Sequence, residues 1–438
     1  MRKLFGTDGI RGVYQVDLTE SMAYKLGFIL GKKYRGGKFL IVRDTRESGM
    51  AIEEAICEGL LKNDVVVLRG GILPTPAAAL VTRVEGCFGV VISASHNPYF
   101  YNGIKLLKSG YKLSDEEEIE IERDFENEKE LNKTRCGKVM NFAEALDIYV
   151  NAIYDMFKDI DFSGLKVAVD AANGAAYRTT PIVLNKLGVK VSCFADQPDG
   201  RNINQGCGSL YPSFLKENIN DFDLGILHDG DADRCIFLTR NGKEIHGDKT
   251  MGVLADWMKQ ESRLKNDIVV ATVMSNLGLE IFLSQRGIKL IRTKVGDRYV
   301  LEQMISLEAN LGGERSGHII FLDRSTTGDG LITAIEFLRV MVLSGKDPCY
   351  LESMVIDYPQ HMINVDVTDK SVAEHPKLKE KIDQFQNDGY RIIVRPSGTE
   401  RLIRVMVEGK DESSVKSVAE ELAEFVKTMS FLGEGESV

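Results

Sequence analysis

Phe88-Gly-Val-Val-Ile-Ser-Ala-Ser-His-Asn-Pro98 joins an apolar run to a polar, proline-ended loop. Phe88–Ile92 reads as a buried strand, so the loop emerges at its C-terminal end. Runs of the same kind recur at Lys38–Asp44 (KFLIVRD), Lys166–Asp170 (KVAVD), Leu224–Leu227 (LGIL) and Ile268–Val273 (IVVATV). Helical periods such as Ser21–Lys33 and Ile52–Leu61 lie between them. Strands alternating with helices predict α/β domains with parallel or mixed sheets. The end of the chain differs. Tyr390–Val394 and Leu402–Val407 are β-like runs flanking the turn-rich RPSGTE, and Val415, Val418, Leu422, Phe425 and Met429 then recur at helical spacing.

The chain has 438 residues, enough for about three or four domains at roughly 100–200 residues each. The expected fold is three similar α/β domains with mixed sheets followed by a smaller α+β C-terminal domain. Breaks are expected near 150, ahead of Lys166–Asp170; near 245, after the turn Arg240-Asn-Gly-Lys243; and near 360, at Asp357-Tyr-Pro-Gln360. These give domains over 1–150, 151–245, 246–360 and 361–438. Ser114-Asp-Glu-Glu117 reads as a capping box opening an acidic helix with a solvated face.

Apolar content of 43% and charged content of 27% are ordinary globular values. A formal net charge of -10 argues against a general nucleic-acid binder, which needs a basic face. The seven cysteines are odd in number and form no CxxC pair, so neither a disulfide framework nor a zinc knuckle is expected. The opening MRKLFGTDGIRG lacks an apolar signal-peptide core, and no uncharged apolar run approaches the roughly 18 residues of a membrane span. The expected setting is the cytoplasm, with no membrane and no nucleic-acid partner.

Four loops carry chemistry. Ligands of open α/β sheets usually bind beyond the C-terminal ends of the strands, so Ser95 in Ser93-Ala-Ser-His-Asn-Pro98 is a candidate nucleophile; alone, the loop also reads as an ordinary turn. Asp229-Gly-Asp-Ala-Asp-Arg234 sets three carboxylates at alternate positions, able to converge on one cation. Hard oxygen ligands select magnesium, calcium or manganese over zinc. An EF-hand would need Gly at the sixth loop position and Glu at the twelfth, where Arg234 and Arg240 stand. In Gly312-Gly-Glu-Arg-Ser-Gly-His318, Glu314 and Ser316 suit sugar hydroxyls, and Gly313 allows close approach. Arg395-Pro-Ser-Gly-Thr-Glu400 offers a guanidinium, two hydroxyls and turn N–H groups to an anion but lacks the GK[ST] of a P-loop. Phe5-Gly-Thr-Asp-Gly-Ile-Arg-Gly12 adds Arg11. Together a nucleophile, a metal site, a hydroxyl reader and a phosphate clamp point to phosphoryl transfer on a phosphorylated polyol.

As a set, FGTDGIRG, SASHNP, DGDADR, GGERSGH and RPSGTE resemble the α-D-phosphohexomutase superfamily, in family order over nearly the whole chain. Asn102-Gly-Ile-Lys105, Val273–Gly278, Val295–Val300, Thr326-Thr-Gly-Asp-Gly330 and Arg404–Glu408 are most similar to its bacterial branch that interconverts glucosamine 6-phosphate and glucosamine 1-phosphate. The resemblance implies that Ser95 carries phosphate and that Asp229, Asp231 and Asp233 hold Mg2+ together with a Ser95 phosphate oxygen. It implies a sugar 1,6-bisphosphate as intermediate and activator, a sugar phosphate as partner, and a homodimer as the candidate assembly. Arg11, Lys105 and Arg234 become electrostatic partners of the transferring group. Lys105 and His318 both stand as proton carriers, and His96 as a catalytic positioning group or a packing residue. Gly313, Glu314 and Ser316 would read the sugar, and Arg395, Ser397, Gly398 and Thr399 would hold the resting phosphate. Two residues depart from the pattern. Arg315 stands where Gln, Asn or Met is usual and would disfavour an ammonium substrate if it faced the sugar; Tyr101 stands for an expected Asp. A phosphomannomutase/phosphoglucomutase, a serine-dependent sugar phosphatase and a non-catalytic sensor are the rival readings.

Overall fold

A computed structural model describes residues 4–6, 8–129, 134–397 and 401–432. Contacts divide the chain into two compact units. One comprises the chain up to Met274 with Arg286–Met354, the other Ser275–Gln285 with Val355 onward.

The first unit holds three mixed sheets built to one plan. In the first, Lys38–Arg43 pairs in parallel with Val66–Ile72 and Phe88–Ile92, and Phe88–Ile92 then pairs antiparallel with Tyr101–Lys108. Ile10–Val13 closes that edge, antiparallel to Tyr101–Lys108, and Lys138–Asn141 closes the other. In the second, Lys166–Asp170 lies parallel to Lys190–Phe194 and Leu224–His228, which turns into antiparallel Cys235–Thr239. In the third, Ile268–Thr272 lies parallel to Lys289–Thr293 and Leu311–Gly313, which turns into antiparallel Ile319–Phe321. Each time, the reversal from parallel to antiparallel is the loop singled out above: SASHNP, DGDADR, then ERSGH.

Continuous apolar runs make these central strands because both faces are covered. The interior of KFLIVR and all of LGILH are buried. Phe39, Ile41, Val67 and Val90 pack with Leu26, Ile29, Ile52 and Ile56 from the helices Glu20–Lys33 and Ser48–Leu60. Each such side chain contributes roughly 1.5–3 kcal/mol on burial. The two helices touch backbone to backbone: a Cβ on Gly27 would lie 2.2 Å from Ile56 O, and one on Gly59 2.1 Å from Tyr24 O.

The capping box forms, Ser114 and Glu117 each binding the other's N–H. The acidic helix Asp115–Asn127 corrects the expectation of a purely solvated face: Glu118 is buried, 2.8 Å from Arg298. The cysteines are free thiols; Cys57, Cys87, Cys207 and Cys235 are buried. Among the described residues no helix is long and apolar enough to cross a membrane.

The second unit is an antiparallel sheet, Leu402–Glu408 between Gln360–Asp366 and Arg391–Pro396. The helices Glu412–Leu432 and Pro376–Asn387 accompany it. Its core joins Ile403, Val405 and Val407 to Val415, Leu422 and Val426. The fold is therefore α/β throughout its larger part, with a smaller antiparallel α+β unit at the end.

Candidate active site

Ser95 sits where Phe88–Ile92 ends. Its side chain is buried, and its φ of +50° lies in the left-handed region that non-glycine residues rarely adopt. Its N–H donates to Ser93 Oγ (2.9 Å), whose hydroxyl donates to Asp44 Oδ2 (2.5 Å). The Ser95 hydroxyl donates to Asp229 Oδ2 at 2.6 Å, and His96 Nδ1 lies 3.3 Å from the same Oγ. Two loops from different sheets thus meet at the candidate nucleophile. Gly230 permits the approach, since a Cβ there would fall 2.5 Å from Ser95 O.

Asp229, Asp231 and Asp233 are all buried, and one carboxylate oxygen from each lies within 4.8 Å of the others. Alternation alone would send the loop straight on; Ala232, at φ +55°, bends it. Asp231 Oδ2 accepts from Thr75 Oγ1 (2.5 Å) and Lys105 Nζ (2.8 Å). Asp231 Oδ1 and Asp233 Oδ1 are buried with no hydrogen-bond partner. Orphaned, converging carboxylate oxygens are what a hard divalent cation requires, so the donor set fits Mg2+. Burial, then Asp233 and Asp231, push the Asp229 carboxyl well above its ordinary range, against Arg234 and the Ser95 hydroxyl. Asp233 goes the other way: burial opposes its charge, but Lys105 and His318 hold it far below the usual carboxylate range. A cation among them offsets the neighbouring carboxylates that raise Asp229.

Around the triplet runs a closed chain of opposite charges. Lys105 Nζ lies 3.6 Å from Asp233 and 3.0 Å from Asp8. Asp8 binds Arg11 and Lys112, and Lys112 lies 2.5 Å from Asp297. His318 closes the circuit, 3.7 Å from Asp297 and 3.5 Å from Asp233. Lys105 is buried, which disfavours its charge, yet Asp231, Asp8 and Asp233 hold its pKa well above normal. Burial also opposes charge on His318, but Asp233, Asp297 and Glu314 lift its pKa to about 9. The Gly328 N–H, 3.1 Å from Nε2, works in the opposite sense. His96 is pushed down to about 4 by burial, Arg234 and Arg11. Arg234 Nε stands 3.8 Å from Asp233, beyond hydrogen-bond reach, and the Nε atoms of Arg11 and Arg234 are buried without partners.

Backbone bonds hold the third loop to the strand after the second, Cys235 N to Gly317 O, and the start of the helix Gly330–Ser344 to the second loop, Gly330 N to Ala232 O. Gly313 ends its strand where a Cβ would lie 2.4 Å from His318 O. Glu314 accepts from Gly296 N (3.3 Å) and Ser316 Oγ (3.5 Å). Arg315 turns its guanidinium to buried Asp248, Nη1 lying 3.3 Å from Oδ2. Its positive charge is therefore matched within the protein. Tyr101 is half-buried and packs on Phe100, ring centroids 5.1 Å apart.

Arg395 and Ser397 belong to the second unit, where Arg395 lies opposite Arg404 and Lys370 Nζ donates to Ser397 O at 2.6 Å. Burial and Arg404 depress the Arg395 pKa. Gly398 and Thr399 lie outside the described residues. Sequence reasoning missed Asp8, Arg46, Thr75, Lys112, Asn204 and Asp297. It also missed the work of Thr326–Gly330, whose Gly328 binds His318 and whose Asp329 caps the helix Gly330–Ser344.

The four models of the phosphoglucomutase/phosphomannomutase family match in order. The alpha/beta/alpha domains I, II and III cover residues 2–132, 147–242 and 246–356, and the C-terminal domain covers 362–425. A phosphoglucosamine mutase of Thermosipho africanus (strain TCF52B) is 49% identical over 425 residues, covering 97% of this chain and 98% of its own. One of Thermotoga neapolitana is 50% identical over 425 residues, covering 97% and 99%. Among solved structures, a phosphoglucomutase/phosphomannomutase family protein of Burkholderia thailandensis superposes with a TM-score of 0.80 at 23% identity, covering 98% of each chain. With the loops in family order and matches across nearly its full length, the chain belongs to the phosphoglucomutase/phosphomannomutase family.

Proposed function

We propose that this chain is a magnesium-dependent phosphoglucosamine mutase, exchanging phosphate between the 6- and 1-positions of glucosamine through phosphorylated Ser95. The observation that carries the reading is the 2.6 Å contact between Ser95 Oγ and Asp229, a member of the buried carboxylate triplet. Near 49% full-length identity to proteins named for that reaction supports the choice of sugar. So does the pairing of Arg315 with Asp248, which lessens the charge an ammonium substrate would meet.

In this reading Asp229, Asp231 and Asp233 would hold Mg2+, which would supply charge neutralisation at the phosphoryl group on Ser95. The free hydroxyl of the sugar phosphate forms the new P–O bond and gives up its proton, the P–Oγ bond to Ser95 breaks with Oγ taking up a proton, and a sugar 1,6-bisphosphate results. Its other phosphate then returns to Ser95. Arg11, Lys105 and Arg234 offset the equatorial oxygens of the group in flight. Lys105, held charged by three carboxylates, is an electrostatic partner and a poor base. His96, neutral because its pKa is depressed, stands 3.3 Å from the oxygen that gains and loses phosphate. Glu314 and Ser316 read hydroxyls, with Gly313 leaving room. Arg395, Ser397, Gly398 and Thr399 hold the non-reacting phosphate. Cytoplasm is the proposed compartment.

The test is a substrate panel of glucosamine, glucose and mannose phosphates with magnesium and glucose 1,6-bisphosphate, run on wild type and Ser95→Ala. Wild type should favour glucosamine phosphates, and intact mass should find some molecules one phosphate heavier. Ser95→Ala should lose both turnover and the added mass while staying folded. Turnover retained in that variant defeats the phosphoserine route; preference for glucose or mannose phosphate defeats the amino-sugar assignment.

A further inference from the structure

Beneath the loop that carries Ser95 lies a guanidinium whose five N–H donors all go to acceptors within the protein. Arg46 is 1% exposed. Its Nη2 donates to the carbonyls of Ser95 (2.9 Å) and Asn97 (2.8 Å), and its Nη1 to those of Pro98 and Tyr101 (3.0 Å). Its Nε donates to Asp44 Oδ2 at 2.8 Å, which balances the charge and also accepts from Ser93. Asn204, from the loop after the second sheet's edge strand, reaches two of the same carbonyls. Its Nδ2 donates to Ser95 O (2.9 Å) and Asn97 O (3.1 Å). Ser95 O and Asn97 O thus each take donors from two sides.

This arrangement answers two physical demands. Ser95 at φ +50° is strained and persists only when its surroundings over-determine it. Four carbonyl oxygens in one short loop are partial negative charges that would repel a phosphate on Ser95; bound to Arg46, they point to it instead. Neither residue touches the reacting atoms.

We propose that Arg46 and Asn204 are positioning residues for phosphoryl transfer. They hold the Ser95 peptide so that Oγ stays aimed at the carboxylate triplet as its charge changes between the free and phosphorylated forms. The inference rests on the phosphoserine reading above, and its test separates the two.

Arg46→Lys, which keeps the charge and loses the fork, and Asn204→Ala are compared with wild type in full-length protein with magnesium and glucose 1,6-bisphosphate. Small misplacement of reacting groups costs on the order of a hundredfold. The expected result is kcat lower by about ten- to a hundredfold with KM within about threefold. Amide exchange should quicken over residues 94–101 and not in Phe88–Ile92 or Leu224–His228. If Arg46→Lys does not fold, Asn204→Ala carries the test alone. A folded variant with wild-type kcat and unchanged exchange over 94–101 overturns the inference, as does a KM rise at constant kcat. Wild type without mutase turnover would instead sink the functional reading, and loop exchange would still decide this one.

Discussion

Lys105→Met removes a charge while leaving most of the volume, and its consequences can be worked out in both directions. The ammonium lies 2.8 Å from Asp231, 3.0 Å from Asp8 and 3.6 Å from Asp233, in a side chain 2% exposed. Removing one partner of a buried ion pair costs about 3–5 kcal/mol, because the remaining charge is left uncompensated. The metal-free variant should lose stability of that order. Magnesium should meanwhile bind the variant more tightly, since Lys105 no longer competes for Asp231 Oδ2. A unit charge about 4 Å away is worth at most about 4 kcal/mol at an effective dielectric near 20. A third of that is still about tenfold in Kd. Turnover should collapse nonetheless, because the transferring group loses a cation. Denaturation in EDTA and in magnesium, with calorimetric magnesium titration, reads all three quantities. A metal-free midpoint equal to wild type, or magnesium affinity unchanged or weaker, would refute the view that Lys105 balances the triplet.

Asp231→Asn keeps the shape and removes one ligand charge, so the magnesium midpoint for activation should rise by at least about tenfold; an identical titration curve counts against the triplet as the metal site. Asp329 tests the pH logic. Burial raises its pKa to about 6, against the Ile332 and Leu331 N–H groups and the Tyr149 hydroxyl. A raised carboxyl pKa favours folding below the ordinary value of 3.8, and that advantage fades as pH climbs to about 6. Relative to wild type, Asp329→Asn should therefore gain about 2 kcal/mol between pH 4 and pH 7. Paired denaturation curves showing a pH-independent difference would rule this out.

Sequence reading found the loops whose chemistry is written in consecutive residues. Ser95 follows an apolar strand, and three aspartates alternate after another. It missed residues whose role exists only across the fold. Thr75 binds Asp231 from 156 positions away, and Asn204 reaches Ser95 O across 109. Arg46 had an unused signal. Lys38–Arg43 and Phe88–Ile92 are parallel neighbours, and Asp44 N donates to Ile92 O. The argument that put Ser95 at a strand's C-terminal end applies equally to Asp44-Thr-Arg46 one strand over. Arg315 shows the converse limit: its identity was plain, but its effect depended on buried Asp248, which no local pattern connects to it.

Charge explains why the site is tied together by backbone as well as by titrating side chains. Phosphate on Ser95 adds about −1.5 to −2 charge beside three buried carboxylates. Lys105, Lys112 and Arg11 stand nearby, but each is already matched by Asp8, Asp231 or Asp297. In the proposed mechanism the charge still needed is that of a divalent cation, which would serve only if both loops met it in fixed geometry. That geometry comes from backbone hydrogen bonds to the metal loop: Thr75 N to Asp231 O, Ala175 N to Gly230 O, and Gly330 N to Ala232 O. None of these donors or acceptors titrates. The metal loop is thus gripped by all three sheets' neighbours before any ligand arrives, and only the charges inside it are left to change during transfer.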